Sequence, residues 1–165
     1  MPAEESYTLR VFARSPRPPS LQSIIDHLRR RGFEARSEPG SRAAIHEDWQ
    51  RCRLFYADRK LPLTLERQSL HGDAPLPDRL RVLMDATTTA KDKRGRQRVL
   101  DFLAQSNQVF ELTLPPDFDW HMARHLISTE LLNYLEQETD GMIQADEEGY
   151  YQRNRLILRL DPLAR

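Results

Sequence analysis

An α+β fold, an antiparallel sheet with helices packed on one face, is predicted by three features of the sequence. Short segments of alternating apolar and polar residues recur along the chain, the mark of strands. Pairs of them are separated by only a few turn-forming residues, as in hairpins. No run of strand–helix–strand crossovers threads the sequence, which removes the usual reason for a parallel sheet.

"YTLRVFAR" sets Leu9, Val11 and Ala13 against Thr8, Arg10 and Phe12, a period near two that predicts a half-buried first strand. After the breaker run "SPRPPS", Leu21, Ile24, Ile25 and Leu28 recur at helical spacing, with Ser20 placed to cap the first turn. Arg29, Arg30 and Arg31 then meet the negative helix end, and Gly32 supplies the stop. "FEARSE" reads as a second strand and "SEPGSRAAIHEDWQ" as a loop, because Pro39 and Gly40 interrupt any period. "RCRLFYA" and "LPLTLERQ" form a hairpin in which Leu61, Leu63 and Leu65 alternate.

"DRLRVLMDATTT" reads as a helix capped by Asp78, in preference to a strand built on Leu80, Val82 and Met84. Within 89–106, Val99, Leu100, Phe102 and Leu103 face a core as a helix would, although Gly95 weakens its first half by roughly 1 kcal/mol relative to alanine. "QVFELTLP" alternates as a strand. A long helix follows over 119–141, capped by Asp119, with a stripe of Trp120, Ala123, Ile127, Leu131 and Tyr134 and with Gly141 as a left-handed terminator. "MIQADEEGYYQ" is a hairpin whose "DEEG" turn places Gly149 where a positive φ is wanted, and "RLILRLD" is the last strand.

The chain reads as a single domain, 1–165, in which the order strand, helix, strand, strand occurs twice. The two halves, 7–70 and 107–160, are joined by a helical segment at 76–106, and the repeated order suggests duplication. It resembles the duplicated modules of some bacterial ligand-binding regulators, gyrase-inhibitor-like domains among them. That resemblance lies in architecture and carries no residue role.

Composition narrows the function. A chain of 165 residues buries roughly 70% of its unfolded surface, enough for a sizeable core. Charged residues make up 30% of it and no stretch is apolar enough for a membrane span, so a soluble, cytoplasmic protein is expected. With Cys52 as the single cysteine, neither an internal disulfide nor a multi-cysteine zinc site can form. Cys52 falls inside a strand, where an inert buried thiol is expected, and no serine sits in a glycine-flanked elbow. The six glycines stand alone, so no loop cradles a nucleotide phosphate. No catalytic residue and no cofactor is assigned.

Net charge is zero, yet residues 1–98 carry 20 Lys and Arg against 13 Asp and Glu, whereas residues 99–165 carry 5 against 12. Such a split can close inside the fold, between copies, or against a partner. The densest basic run is "AKDKRGRQR", with Lys91, Lys93, Arg94, Arg96 and Arg98. These could neutralise phosphates, but the run holds no aromatic for base stacking and the pI is near 7, which disfavours nucleic acid. Because cations oppose the dipole at a helix start, the run reads as an exposed turn that pairs with acidic residues of the C-terminal part or with another protein. Asp146, Glu147 and Glu148 are the acidic counterpart; they lack the alternation and central glycine of a calcium loop and read as a wet hairpin tip.

His121 and His125 are four apart, the spacing that sets two imidazoles over one metal on a helix. Met122 stands where a metalloprotease helix carries its glutamate base, so solvated side chains are the favoured reading, with Glu136, His46 or His71 the third ligand a metal site would need. Trp49, Tyr56, Trp120, Tyr150 and Tyr151 could line a ligand cavity, though aromatics at strand and stripe positions are more often core. The sequence thus favours a non-enzymatic interaction or regulatory protein that binds another protein or itself. A small-molecule-binding domain with a cavity between sheet and helices is the alternative, and a metal-dependent hydrolase using His121 and His125 comes third.

Overall fold

A computed structural model describes residues 6–38, 48–121, 125–146 and 148–161, without the side chains of residues 125 and 126. The elements run β1 (Tyr7–Ala13), α1 (Leu21–Arg30), β2 (Arg36–Glu38), β3 (Arg51–Phe55), β4 (Leu63–Ser69), α2 (Asp78–Thr88), α3 (Lys93–Ala104), β5 (Gln108–Leu114), α4 (His125–Thr139), β6 (Gly141–Ala145), β7 (Gly149–Gln152) and β8 (Arg155–Arg159). The strands form one sheet in the order β2-β3-β4-β5-β1-β6-β7-β8, antiparallel at every pairing. The class is α+β. No helix among the described residues is long and apolar enough to cross a membrane.

β1 and β5 lie side by side at the centre, so the halves 7–70 and 107–160 interlock in one sheet. Their wiring differs: β4, the last strand of the first half, adjoins β5, whereas β6, the first strand after α4, adjoins β1.

Period two divides the sheet into two faces. Val11 joins a core with Ile24 and Leu28 of α1, Leu65 of β4, Leu112 of β5 and Leu131 of α4. Its neighbour Phe12 joins a second core with Leu80 and Leu83 of α2, Val99 and Phe102 of α3, and Tyr150 of β7. The single covered face holds for α1 and α4, the helices of the two halves; the joining segment, α2 with α3, covers the opposite face. For that reason β1 is not half-buried, since Arg10 and Phe12 are as enclosed as Val11.

Local chemistry explains most boundaries. Ser20 caps α1 by accepting from the Ser23 N–H, and Gly32 ends it at φ +92°. Asp78 lies in the first turn of α2 and is not its cap; Pro77 holds that position and gives no side-chain bond. The basic run is not a turn. Asp92 accepts from the N–H groups of Arg94 and Gly95 and starts α3 at Lys93, overriding the unfavourable charge of that first turn. Gly95 belongs there because a Cβ would lie 2.5 Å from the Ile157 carbonyl of β8.

α4 begins later than the sequence indicates, as Trp120 and His121 occupy a turn in which the Asp119 carboxylate accepts from the His121 N–H. Asp140, at φ +50°, takes the left-handed position assigned to Gly141, which instead opens β6 with room for no Cβ beside Val11. Gly149 does have positive φ. Arg153 and Asn154 are both left-handed between the paired Gln152 and Arg155, the type I′ hairpin geometry. Of the loop read over 37–50, residues 39–47 lie outside the described residues.

Candidate functional site

A charged row crosses the sheet. Arg51, Glu66, Glu111, Arg10, Gln144, Tyr150 and Leu158 are successive register partners from β3 to β8, all on the face that α2 and α3 partly cover. At its centre Arg10 donates through Nε to Glu111 at 3.0 Å and through Nη1 to Gln144 at 2.7 Å and Asp146 at 2.8 Å. Arg79 reaches down from α2 and donates to both oxygens of Glu111, the shortest contact being 2.6 Å. Burial alone would raise the Glu111 carboxyl, but the hydrogen bonds from Arg79 and the charge of Arg10 outweigh it and hold the group below the ordinary carboxylate range. Arg10 and Glu111 are buried and paired with one another and with Arg79, Gln144 and Asp146, a network that fixes the register of the central strands.

The charge split of the sequence closes in part inside the fold. Arg10 pairs with Glu111 and Asp146, Arg14 with Asp140, Arg31 with Glu130, and Arg79 with Glu111, each linking the basic part to the acidic part. The basic run takes little share in this. Arg98 donates to Gln152 and Arg96 to the Ala90 carbonyl, while Lys91, Lys93 and Arg94 are exposed and enter no ion pair among the described residues. Asp146 is held by Arg10 and by the Thr8 N–H, Glu148 accepts from the Tyr151 hydroxyl, and Glu147 lies outside the described residues. Among the described residues, basic run and acidic hairpin are not joined by an ion pair.

His121 is exposed in the turn before α4, and His125 is the first residue of that helix, its side chain outside the described set. No group of three metal-ligating side chains occurs among the described residues. Trp49, Tyr56 and Tyr150 are buried; the Trp49 indole donates to the Pro19 carbonyl and the Tyr150 hydroxyl meets Thr87 at 2.8 Å. Cys52 is enclosed, and burial pushes its thiol up to about 12.

An accessible group of aromatic and basic side chains lies at the end of the sheet where β1 and β4 begin and β3 and β5 finish. A cleft of about 650 Å³ opens there, walled by Phe33, Phe55 and Tyr56 and edged by Arg29, Arg36, Arg59 and Lys60, with Glu34 and Asp58 the acidic members. Three of the cations are held in place: Arg29 donates to the Ala35 carbonyl at 3.0 Å, Lys60 to the Asp117 carbonyl at 2.9 Å, and the Arg36 guanidinium lies 4.1 Å over the Phe55 ring. Arg59 sits at φ +60°, a conformation uncommon for a residue with a Cβ and one that concentrates at ligand sites.

An aromatic chain continues the surface. Tyr56 contacts Phe118 at 5.9 Å, Phe118 meets Trp120 edge-on at 5.3 Å, and Trp120 meets Tyr7 at 5.1 Å. Trp120 is 43% exposed and Leu61 54%, so apolar surface borders the cations. Of these residues only Tyr56 and Trp120 were legible in the sequence as candidates to line a ligand cavity; Arg29 and Leu61 read there as a helix end and a strand position. Compared with protein-family models, curated proteins and solved structures, the chain matches none of them.

Proposed function

We propose that the protein is a non-enzymatic recognition module that takes an acidic segment of a partner protein into the cleft at this end of the sheet. The observation that carries the reading is the union of four cations around an aromatic wall with the exposed Trp120 and Leu61 beside it. Tryptophan and arginine are the side chains that most often dominate binding energy at interfaces. Charge complementarity selects the partner: two carboxylates against four cations leave the cleft positive. A non-catalytic role is supported by the state of the reactive groups, since the central carboxylates are ion-paired and the Cys52 thiol is buried and protonated.

The test is fluorescence anisotropy with a labelled peptide of alternating glutamate and leucine. Binding is expected at low salt, weakening as salt rises, and falling at least about tenfold in Arg59→Ala/Lys60→Ala and in Trp120→Ala. Lys93→Ala/Arg94→Ala is expected to bind as the wild type does. Affinity that ignores the cleft variants overturns the proposal. So does preferential binding of a single-stranded RNA oligomer by the same surface, or sedimentation showing that the cleft is closed in a dimer of this chain.

A further inference from the structure

At the opposite end of the sheet, where β4 finishes and β5 begins, lies a cleft of about 340 Å³ lined by Gln50, Arg67, Ser69, His71 and Gln108 among others. Arg67 is anchored from several directions. Its Nε donates to the Trp49 carbonyl at 2.9 Å, its backbone N–H to the Gln50 carbonyl at 2.7 Å, and its guanidinium lies 5.7 Å from the Trp49 ring. Nη1 reaches Gln108 at 3.5 Å, and Gln108, itself only 3% exposed, is pinned by donating to the Ser15 carbonyl at 2.7 Å.

Among the described residues no carboxylate forms an ion pair in this arrangement; Asp48 acts on Arg67 by its charge alone. Arg67 forms no ion pair among the described residues and its Nη2 has no acceptor there, in contrast to Arg10 and Arg79, whose guanidiniums close on Glu111. The electrostatics differ accordingly. Burial pulls the Arg67 guanidinium down from its ordinary range and the charge of Asp48 offsets this in part, whereas Arg79 is raised by its bond to Glu111. Beside Arg67, Ser69 and His71 close a tight turn: the Ser69 hydroxyl donates to the His71 carbonyl at 3.0 Å and accepts from the His71 N–H at 3.3 Å, which sets His71 at the cleft wall.

We propose that this cleft binds a phosphate group, free or as a monoester, with the Arg67 guanidinium as its principal donor. A rigid, planar guanidinium with open N–H groups matches the tetrahedral oxyanion, and an anion adds the directly bonded countercharge that Asp48 supplies only through space. His71 and Gln50 line the same cleft and are the candidates for a second contact. The inference is independent of the acidic-segment reading, since the two clefts share no lining residue.

The experiment is an amide NMR titration of the whole chain at constant ionic strength, with inorganic phosphate in one arm and phenyl phosphate in the other. Saturable shifts are expected at Arg67, His71 and Gln108, with tighter binding of phenyl phosphate if monoesters are the ligand and of inorganic phosphate if the free anion is. Arg67→Gln is expected to weaken binding at least about tenfold, the scale of one charge-assisted pair. Asp48→Asn is expected to tighten it, and Arg94→Gln to leave it alone. Should Arg67→Gln fail to fold, His71→Ala, at the rim, is expected to weaken binding severalfold. Shifts that grow linearly with phosphate, or that persist undiminished in Arg67→Gln or His71→Ala, overturn the proposal.

Discussion

Gly95 brings two opposed effects onto one residue. Inside a helix an alanine is worth about 1 kcal/mol more than a glycine, so Gly95→Ala would stabilise an isolated α3. In the folded chain the new methyl would lie 2.5 Å from the Ile157 carbonyl and from the Asp92 carboxylate, and backbone on one side leaves little to give. Overpacking of that kind costs about 1–3 kcal/mol, so the clash wins. Gly95→Ala is expected to lower the thermal midpoint by several degrees, read by circular dichroism, and a rise would show that β8 can move away. The same close approach has a structural use. α3 lies against β8, an edge strand of the sheet, and ties it into the core that Val99 and Phe102 share with Leu158.

Among the elements, α3 is the one whose sequence argues against it and whose structure explains why it forms. Its first turn carries Lys93, Arg94 and Arg96 and no acidic residue, all unfavourable at a helix start. The Asp92 side chain answers with two backbone hydrogen bonds and a negative charge at the cap, while Val99 and Phe102 bury its inner face. Asp92→Ala is expected to cost about 1–2 kcal/mol, the upper part of the range for a lost cap because the exposed cations are then unopposed. Denaturant unfolding would show this as a lower midpoint at unchanged slope. Asp92→Asn, which keeps a side-chain acceptor and drops the charge, should recover most of it. The basic run was legible as a charge pattern and 89–106 as a helical segment; that the helix starts inside the run, at Lys93, was not, because the deciding contacts come from β8 and from the Asp92 cap, which composition alone does not weight.

At the scale of the molecule, the Arg10–Glu111–Arg79 cluster ties the central strands to α2 and makes stability depend on pH. Glu111 is held below its ordinary value of 4.5, so the unfolded chain takes up this proton first as pH falls. Its contribution is complete above the unfolded value and is lost as pH falls through the lower folded value. Glu136 behaves in the opposite sense: burial raises it, with the Arg153 N–H only partly compensating, so its contribution is complete below the unfolded value and is lost as pH rises through the folded one. Unfolding midpoints from about pH 7 down to about pH 3 should therefore fall steeply on the acid side, and Glu111→Gln should flatten that limb. Glu136→Gln should instead gain on the wild type as pH rises. An acid limb of unchanged steepness in Glu111→Gln would remove the cluster as its cause. Arg10→Ala, which strips the partner from a buried carboxylate, is expected to cost about 3–5 kcal/mol, moderated by Arg79.

By itself the sequence determined the strands, the helix caps at Ser20 and the turn glycines at 32 and 149, because alternation, capping and positive φ are local properties of neighbouring residues. It also held a clue to the central ion cluster, for "TLRVF" and "VFELT" each carry one charge inside an apolar run, and the signs are opposite. Only the tertiary structure decided that Arg10 and Glu111 are register partners, that α2 and α3 cover the face away from α1 and α4, and that Arg29, Arg36, Arg59 and Lys60 share a cleft. Strand order brings together residues as far apart in the chain as Leu9 and Ala145, and no periodicity within a segment encodes which segment will lie beside it.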